Sequence, residues 1–385
     1  MSTTVRLALV PREGFFCKDG RGWFTSASGR GHALEWPWPQ TILGALRTAW
    51  GRAQEAERGR AFHSQDWAGQ TTTVQLERSL ALRRRHGAPW SVGDRVWPWP
   101  ADGRWLEGET HVNRLDPVPS QVPTLGRDED EAREALWRPA LDDPRKPQPP
   151  PTWWDDHSFV AWLAGEPVPR PARPLRSVKR VQTHVTIRPD TFTAQDQLLY
   201  SHDVVETLER DAEWAIGVET TFPGDPPRWV TLGADARLVA VEPLPPALFE
   251  PPPRLLDAFR RGSAGLRIIV VTPASFRRGW LPNGLQRDDA VYRGQLRGLE
   301  PEVVLRAAIV PRPFEVSGWA VREGVAKRSE RLVPPGAVYF FERTDGKPFG
   351  EAEARALWLA SLGSRSSEGY GRVVPGVWNP ERSKS

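Results

Sequence analysis

The chain has 385 residues, enough for two or three domains and a sizeable apolar core. Its 39 prolines and 33 glycines exclude a long helical bundle or coiled coil, and its single cysteine excludes a disulfide framework or a thiolate metal cluster within one chain. The formal net charge is +4, and lysine fills only six of the 52 basic positions. This arginine excess suits an RNA partner, because a planar guanidinium binds phosphate well, but a GC-rich genome would produce the same bias.

The first predicted elements are a strand and a helix. Residues 5–10 form an apolar run that ends at Pro11, which is typical of a buried strand. Apolar side chains then recur on one helical face at positions 42, 43, 46, 49, 50 and 53. Pro39 precedes them at a position where helices tolerate proline. A strand followed by a helix is the first half of a βαβ-type unit.

Apolar and β-branched runs predict five further strands in the first two thirds of the chain. They cover residues 74–85, 95–106, 178–187, 215–221 and 229–241. Pro98 and Pro100 cannot donate to a ladder, so we expect the second of these strands at a sheet edge.

Charge and proline mark the segments between these strands. The acidic stretch 128–134 predicts a solvated helical face. Proline is dense in 139–151 and again in 167–174, and we expect the insertion between them to cross the surface in extended form. Six prolines between 243 and 253 mark the best domain boundary.

The pattern restarts after this boundary. A strand is predicted at 266–272, then a helical or irregular crossover, then strands at 303–310 and 337–341. A helix at 351–362 that Gly363 ends and a last strand from Val373 follow. This order is that of the ferredoxin-like βαββαβ fold. The sequence therefore predicts an α+β protein with two tandem ferredoxin-like (RRM-like) domains, residues 1–250 and 254–385, with long loop insertions and a glycine-rich loop at 363–372.

The glycine-rich loop is the first candidate binding site. Gly369 and Gly371 permit positive φ, so consecutive backbone N–H groups can form a concavity for phosphate, with Arg365 and Arg372 adding charge and Tyr370 a stacking face. Ordinary turn chemistry would give the same pattern.

A basic strand and the first helix supply further candidates. Arg180, Thr183 and His184 lie in the strand at 178–187, where alternation places Thr183 and His184 on opposite faces. His184 is either a general acid or base for RNA cleavage or a hydrogen-bonded structural group. Arg47, beside Gly44, is either a phosphate contact or a solvated arginine.

The sequence contains no motif for metal binding or for nucleotide binding. The seven histidines, at 32, 63, 86, 111, 157, 184 and 202, show no metal-ligand spacing, and no phosphate-binding loop or dinucleotide fingerprint is present. We therefore expect no metal and no cofactor. The sequence shows neither a signal peptide nor an apolar run of membrane-spanning length, so we expect a soluble, cytoplasmic protein without a membrane partner.

Six sequence blocks together resemble one known family. In chain order they are GFFCKDGR (14–21), WPWPQTILGALR (36–47), RVQTHV (180–185), TPASF (272–276) with Gly279 and Trp280, GAVYFF (336–341) and EGYGR (368–372). They are similar to the repeat-associated (RAMP) subunit of the type III-B CRISPR effector, the Cmr complex, that caps the 5′ end of the guide RNA. The insertion at 139–174 matches no shared block and is assigned only a possible subunit contact.

The resemblance implies a non-catalytic subunit that binds the repeat-derived 5′ tag of the CRISPR RNA. It implies docking between the large palm-domain subunit and the backbone RAMP subunit, with target RNA reached only through the complex. Taken with the segments above, it predicts these RNA-binding residues: Phe16, Lys18, Arg21, Thr41, Gly44, Arg47, Arg180, Thr183, His184, Arg365, Gly369, Tyr370, Gly371 and Arg372.

Two other functions stay open at this point. One is a metal-independent endoribonuclease that processes repeat RNA, for which His32, His184 and Tyr370 are available as acid–base groups. The other is a scaffold whose Trp-Pro surfaces bind only proteins. Most of the tryptophans beside proline, namely Trp38, Trp97, Trp99, Trp153 and Trp154, are nevertheless expected in the core.

Overall fold

The structure is a computed structural model that describes residues 2–20, 29–119, 136–141, 143–289, 291–320 and 325–380. Arg21 and the acidic stretch 128–134 lie outside these residues. Within them the chain is a mixed α+β protein with many strands and few helices. None of the helices in this part of the chain is both long and apolar enough to cross a membrane.

Five α-helices are present among the described residues. They are α1 (Pro39–Arg58), α2 (Ser64–Thr71), α3 (Asp156–Leu163), α4 (Pro253–Arg260) and α5 (Glu351–Leu357). Single 3-10 turns lie at Val92–Asp94, Ala234–Ala236 and Pro246–Phe249.

The strands are given in two groups, before and after the proline-rich linker, residues 243–253. Before it lie β1 (Ser2–Pro11), β2 (Gly29–Gly31), β3 (Gln75–Arg85), β4 (Arg95–Pro98), β5 (Gly103–Arg104), β6 (Asn113–Arg114), β7 (Asp116–Val118), β8 (Arg138–Ala140), β9 (Trp153–Asp155), β10 (Lys179–Ile187), β11 (Ala194–Val205), β12 (Ala212–Pro223), β13 (Trp229–Leu232) and β14 (Arg237–Pro243). After it lie β15 (Gly265–Val270), β16 (Leu285–Asp288), β17 (Val291–Gly294), β18 (Val303–Ile309), β19 (Phe314–Val316), β20 (Trp319–Ala320), β21 (Val325–Ala326), β22 (Glu330–Leu332), β23 (Val338–Arg343), β24 (Ala360–Ser361) and β25 (Arg372–Trp378).

The first large sheet has its strands in the order β13-β14-β1-β12-β3-β4-β9, and every ladder in it is antiparallel. Both faces of β1 are buried, because Leu7 and Leu9 point into one apolar cluster while Ala8 and Val10 point into another. Helix α1 covers the first face, and the second half of the chain covers the other. Burial on both faces explains why β1 reads as a continuous apolar run.

The second large sheet has the order β16-β17-β18-β23-β15-β25-β24. Its interior strand β15 is buried at every position, as the apolar sequence there predicts. Helices α4 and α5 pack against each other on this sheet, and α3 from the first half packs against both α4 and β25. One apolar cluster therefore runs through both halves of the chain.

A smaller sheet stands beside the first one. Strands β10 and β11 form a long antiparallel hairpin, and the short β2 adds to β11 in parallel. The outer face of this hairpin exposes Val181, Val185 and Leu199.

Five sequence predictions about elements were wrong. The strands predicted at 95–106 and 229–241 are each broken, the first into β4 and β5 and the second into β13 and β14. The segment between the two proline-dense stretches is not extended on the surface, because it contains β9 and the buried helix α3, whose N-terminus Asp155 caps by accepting from the Ser158 amide. Strand β4 is not an edge strand, since β9 pairs with it outside β3. Helix α5 ends at Leu357 rather than at Gly363, and Leu359 follows with a φ of 55°.

The expected burial of the Trp-Pro tryptophans is largely confirmed. Trp38, Trp97, Trp153 and Trp154 are buried, and Trp99 is half-buried and packs on the same core. The proline-rich linker also contributes to this core through Leu248 and Phe249, so the apolar interior is continuous across the expected domain boundary.

A fully buried ion pair joins the two halves. Arg267, on β15, donates to Oδ2 of Asp102 at 2.8 Å and to the carbonyl oxygen of Trp162. Trp162 in turn donates its indole N–H to the other oxygen of Asp102 at 3.2 Å. Gly376, on the neighbouring strand, leaves room for the guanidinium, since a Cβ there would lie 3.1 Å from it.

A second buried arginine fixes the linker. Arg95 forms a bidentate pair with Asp156 at the start of α3, at 2.8 and 3.0 Å. Its remaining nitrogen donates to the carbonyl oxygens of Leu248 and Glu250. The first sheet, the insertion and the linker are thus held by one side chain.

Replacing Asp102 by alanine tests the first of these contacts. Asp102→Ala leaves the Arg267 charge unpaired in an apolar site, so we expect urea denaturation to show a loss of about 3–5 kcal/mol in the free energy of unfolding. The matched control is Asp143→Ala, which removes a carboxylate from an exposed pair with Arg145 and should change stability by about 0–1 kcal/mol. Equal losses in the two variants would contradict this account.

Candidate functional site

The glycine-rich loop, residues 363–372, lies between the two large sheets. It joins β24 to β25, and its Ser367 carbonyl accepts from the Leu76 amide at the start of β3 at 3.0 Å. Gly369 has a φ of 86°, and a Cβ there would come within 2.7 Å of the Leu76 side chain. Glycine is therefore required at this position both for its backbone conformation and for close packing.

The amides of the two glycines are already used inside the protein. Gly369 donates to the Ser366 carbonyl and Gly371 to the Pro273 carbonyl. The glycines therefore shape the loop and do not offer their own N–H groups to a ligand. By contrast, the amides of Ser366 and Ser367 donate to no acceptor among the described residues.

Arg365 holds the loop against the first half by donating to the side-chain oxygen of Gln40, at the start of α1, at 3.1 Å. It forms ion pairs with Glu368 at 2.7 Å and Glu330 at 2.9 Å, and its guanidinium lies 4.2 Å from the centre of the Tyr370 ring. Two carboxylates therefore balance its charge. Tyr370 is buried and packs edge-on against Trp38, and burial raises the pKa of its phenol.

A polar cleft of about 420 Å³ opens beside this loop. Four arginines from both halves line it, together with serine and glutamine side chains: Arg78, Arg297, Arg355, Arg372, Gln75, Ser366 and Ser367. Glu77 is the one acidic residue in the lining. Strand β3 supplies one wall and the glycine-rich loop with α5 the other.

Two of these arginines have no carboxylate partner. Arg372 is 9% exposed and donates to the carbonyl oxygens of Ser366 and Leu359, and Arg297 donates to the Ser366 hydroxyl at 3.0 Å. Within the described parts of the chain, neither lies within 4.0 Å of a carboxylate. Burial, and then the nearby charge of Arg78, lower the pKa of Arg372 to about 10.

This arrangement favours an anionic ligand. An anion in the cleft would relieve the repulsion between like charges, and guanidinium groups and free amides are the donors that bind phosphate in proteins. Arg372 belongs to the predicted site, but Arg78 and Arg297 were missed. Each is an isolated arginine in the sequence, and only the fold brings them beside the loop.

The predicted residues of α1 lie close to the same loop. Arg47 donates to the Val74 carbonyl at 3.1 Å, beside Glu368, and burial lowers its pKa. Gly44 is exposed, with open space where a Cβ would be. Thr41 shares a side-chain hydrogen bond with the buried Cys17, whose pKa burial raises to about 12.

The other predicted residues form a second group at the hairpin. Phe16 stacks on His202 with ring centres 4.5 Å apart, His202 on His184 at 4.9 Å, and His184 on Tyr200 at 5.1 Å. His202 and Tyr200 were not predicted from the sequence, although alternation along β11 places them on one face.

The remaining members of this group have separate surroundings. Arg180 pairs with Glu206, and Thr183 is exposed on the face of β10 opposite to His184, as the alternation predicts. Lys18 lies in a bridge with Ala33. The structure thus brings the predicted residues into two groups, the glycine-rich loop with α1 and the hairpin, and Cys17 and its neighbours lie between them.

Comparisons with known proteins point to one family. The family model described as "CRISPR-associated protein (Cas_Cmr3)" matches residues 7–378. No curated protein matches the chain. Similar solved structures include chains of the Type III-B Cmr-beta bound to cognate target RNA, with and without AMPPnP, both determined by cryo-EM. In each case identity is 11%, the match covers 87% of this chain and 86% of that chain, and the TM-score is 0.43.

Gly369 offers a test of the loop geometry. In Gly369→Ala, an unfavourable positive φ and a clash with Leu76 add together, so we expect a loss of about 2–3 kcal/mol in the free energy of unfolding. Gly346→Ala is the control, because Gly346 also has a positive φ but open space around it, and it should lose about 1 kcal/mol. Chemical denaturation measures both. If the two variants lose the same amount, the loop does not pack on β3 as described.

Proposed function

Because the chain belongs to the Cas_Cmr3 family of CRISPR-associated proteins, we propose that it is a non-catalytic RNA-binding subunit of a type III-B effector complex. Its task is to anchor the repeat-derived 5′ tag of the guide RNA. The family match over residues 7–378 confirms the resemblance to a Cmr subunit that the six sequence blocks indicated.

The observation that carries the proposed RNA binding is the arginine-lined cleft. Within the residues that the structure describes, Arg297 and Arg372 have no carboxylate partner, and they lie beside the amides of Ser366 and Ser367, which donate to no acceptor there. Single-stranded RNA presents phosphates to such donors, and these contacts fix its position without reading its sequence. The cleft therefore suits the backbone of the tag.

We further propose that each large sheet is a ferredoxin-like RAMP module. The strand order β14-β1-β12-β3 places the four core strands of the first sheet as 4-1-3-2, and β25-β15-β23-β18 does the same in the second. The first module keeps α1 and has β13 where the second helix would lie. The second keeps α5 and has the β16–β17 hairpin where the first helix would lie.

The surroundings of the possible acid–base groups support a binding role over RNA cleavage. Tyr370 is buried with a raised pKa, so its hydroxyl is not placed to exchange protons with a substrate. His184 is stacked between two other rings on the hairpin, and His32 lies 3.4 Å from Asp203. Tyr370 lies at the glycine-rich loop, whereas both histidines lie at the hairpin. There His184 contacts His202 and His32 contacts Asp203, and the side chains of His202 and Asp203 alternate on opposite faces of β11.

The proposed partners are the guide RNA, the large palm-domain subunit and the backbone RAMP subunit, in the cytoplasm. The exposed apolar side chains on the outer face of the hairpin, Val181, Val185 and Leu199, support the expectation that another subunit packs against this chain.

Removing one cleft arginine tests the RNA-binding role. Arg297→Ala should weaken binding of an RNA that carries the repeat-derived 5′ tag by about tenfold and reduce the slope of log K against log salt by about 1. Arg297 is exposed and makes one hydroxyl contact, so the fold should be unaffected. Fluorescence anisotropy of labelled tag RNA over a salt series measures both quantities.

The control for this experiment is Arg228→Ala. Arg228 is also exposed, but it precedes β13, at the edge of the first sheet opposite to β3 and the cleft. We expect wild-type affinity and slope for this variant. Equal effects of the two substitutions, or none from Arg297→Ala, would refute the cleft as the RNA site.

A further inference from the structure

Two histidines and a carboxylate come together on the inner face of the hairpin. In the β10–β11 ladder Gln182 pairs with His202 and His184 with Tyr200, so the two histidines are diagonal neighbours on one face. Asp235, on the turn between β13 and β14, lies against them. One ligand atom from each of His184, His202 and Asp235 lies within 4.8 Å of the others.

Both histidines carry a buried nitrogen without a partner. The Nε2 atoms of His184 and His202 are shielded from solvent and find no hydrogen-bond partner in the described part of the chain, and His202 as a whole is only 5% exposed. Buried polar atoms are hydrogen-bonded in the great majority of cases, so each exception requires an explanation. A bound ion that accepts both lone pairs would provide one.

We propose that His184, His202 and Asp235 form a binding site for one divalent transition-metal ion, with Zn²⁺ as the best fit. Two imidazole nitrogens and one carboxylate oxygen are a ligand set that zinc prefers, and water can complete the tetrahedron. The three ligand atoms lie farther apart than they would around a bound zinc ion. His202 Nε2 lies 4.0 Å from the nearer oxygen of Asp235, whereas ligands of a tetrahedral zinc lie about 3.3 Å apart.

Small side-chain movements close this gap. The two imidazole rings are stacked with 15° between their planes, so one ring must turn for both lone pairs to meet at one point. Asp235 is half-exposed on a turn with a φ of 60°. Its Oδ2 accepts a long hydrogen bond from Arg237 at 3.4 Å, and this contact is released or shared when the carboxylate moves toward the histidines.

The local charges are compatible with a cation. Arg180 and Arg237 lie nearby, but their charges are balanced. Arg180 is paired with Glu206, and Arg237 is paired with Glu13 and, at 3.4 Å, with Asp235 itself. A metal ion here would tie the hairpin to the first sheet, and this role does not depend on RNA binding.

The test uses the metal alone. The full-length chain is stripped with chelator and titrated with ZnCl₂ by calorimetry, and with Co²⁺ by visible absorption. We expect one ion per chain, the strong visible bands of four-coordinate Co²⁺, and a rise of a few degrees in the melting temperature. His202→Ala and Asp235→Asn should each weaken Zn²⁺ binding at least about tenfold.

His157→Ala is the matched control, because His157 is exposed on α3, away from the hairpin, and its loss should leave the affinity unchanged. Asp235→Asn keeps the shape of a half-exposed side chain, so it reports on binding even if His202→Ala does not fold. No saturable binding by the wild type, or wild-type affinity in Asp235→Asn, would overturn the proposal.

Discussion

The ion pair between Arg267 and Asp102 is the contact on which the position of the cleft depends. Both side chains are fully buried, so neither keeps its charge at an acceptable free energy unless the other is in place. Arg267 lies on β15, which pairs with β25 up to Val373, and the next amide after β15, that of Val271, donates to the Arg372 carbonyl. The pairing of these two strands therefore fixes where Arg372, in the wall of the cleft, lies relative to Arg267.

The chain uses arginine in two physically different ways. Arg95 and Arg267 are structural, because each is buried and bonded to an aspartate and to main-chain carbonyls. Arg297 and Arg372 keep unbalanced charges at the boundary of the two sheets. Such charges destabilise the cleft when it is empty and favour binding of an anionic ligand. A loss of stability of this kind is expected at a binding site. The arginine excess in the composition could not distinguish these uses.

Much of the fold follows from local patterns in the sequence. Helix α1 and the strands β3 and β15 all lie where the sequence predicts them. The insertion was misread because prolines flank it, although Asp155, three polar residues and then the apolar run 159–164 together form the pattern of a capped, buried helix. The density of proline said nothing about the eight residues of α3.

The candidate site was predictable only in part, for a topological reason. Arg372 is visible because it follows a glycine-rich turn, a local feature. Arg78 and Arg297 become neighbours of it only through the packing of the two sheets, which no spacing in the sequence encodes. The same holds for His202, whose relation to His184 depends on the register of the hairpin. Where separate elements each contribute one binding group, the site can be recognised only from the tertiary structure.

The most direct test of the central claim is a crosslinking measurement on the assembled effector complex. Guide RNA carrying 4-thiouridine in its first tag nucleotides is irradiated in the complex, and the crosslinked peptides are identified by mass spectrometry. If this chain anchors the tag, crosslinks fall in its peptides from the glycine-rich loop, the start of β3 or the turn around Arg297. Crosslinks confined to other subunits would contradict the account.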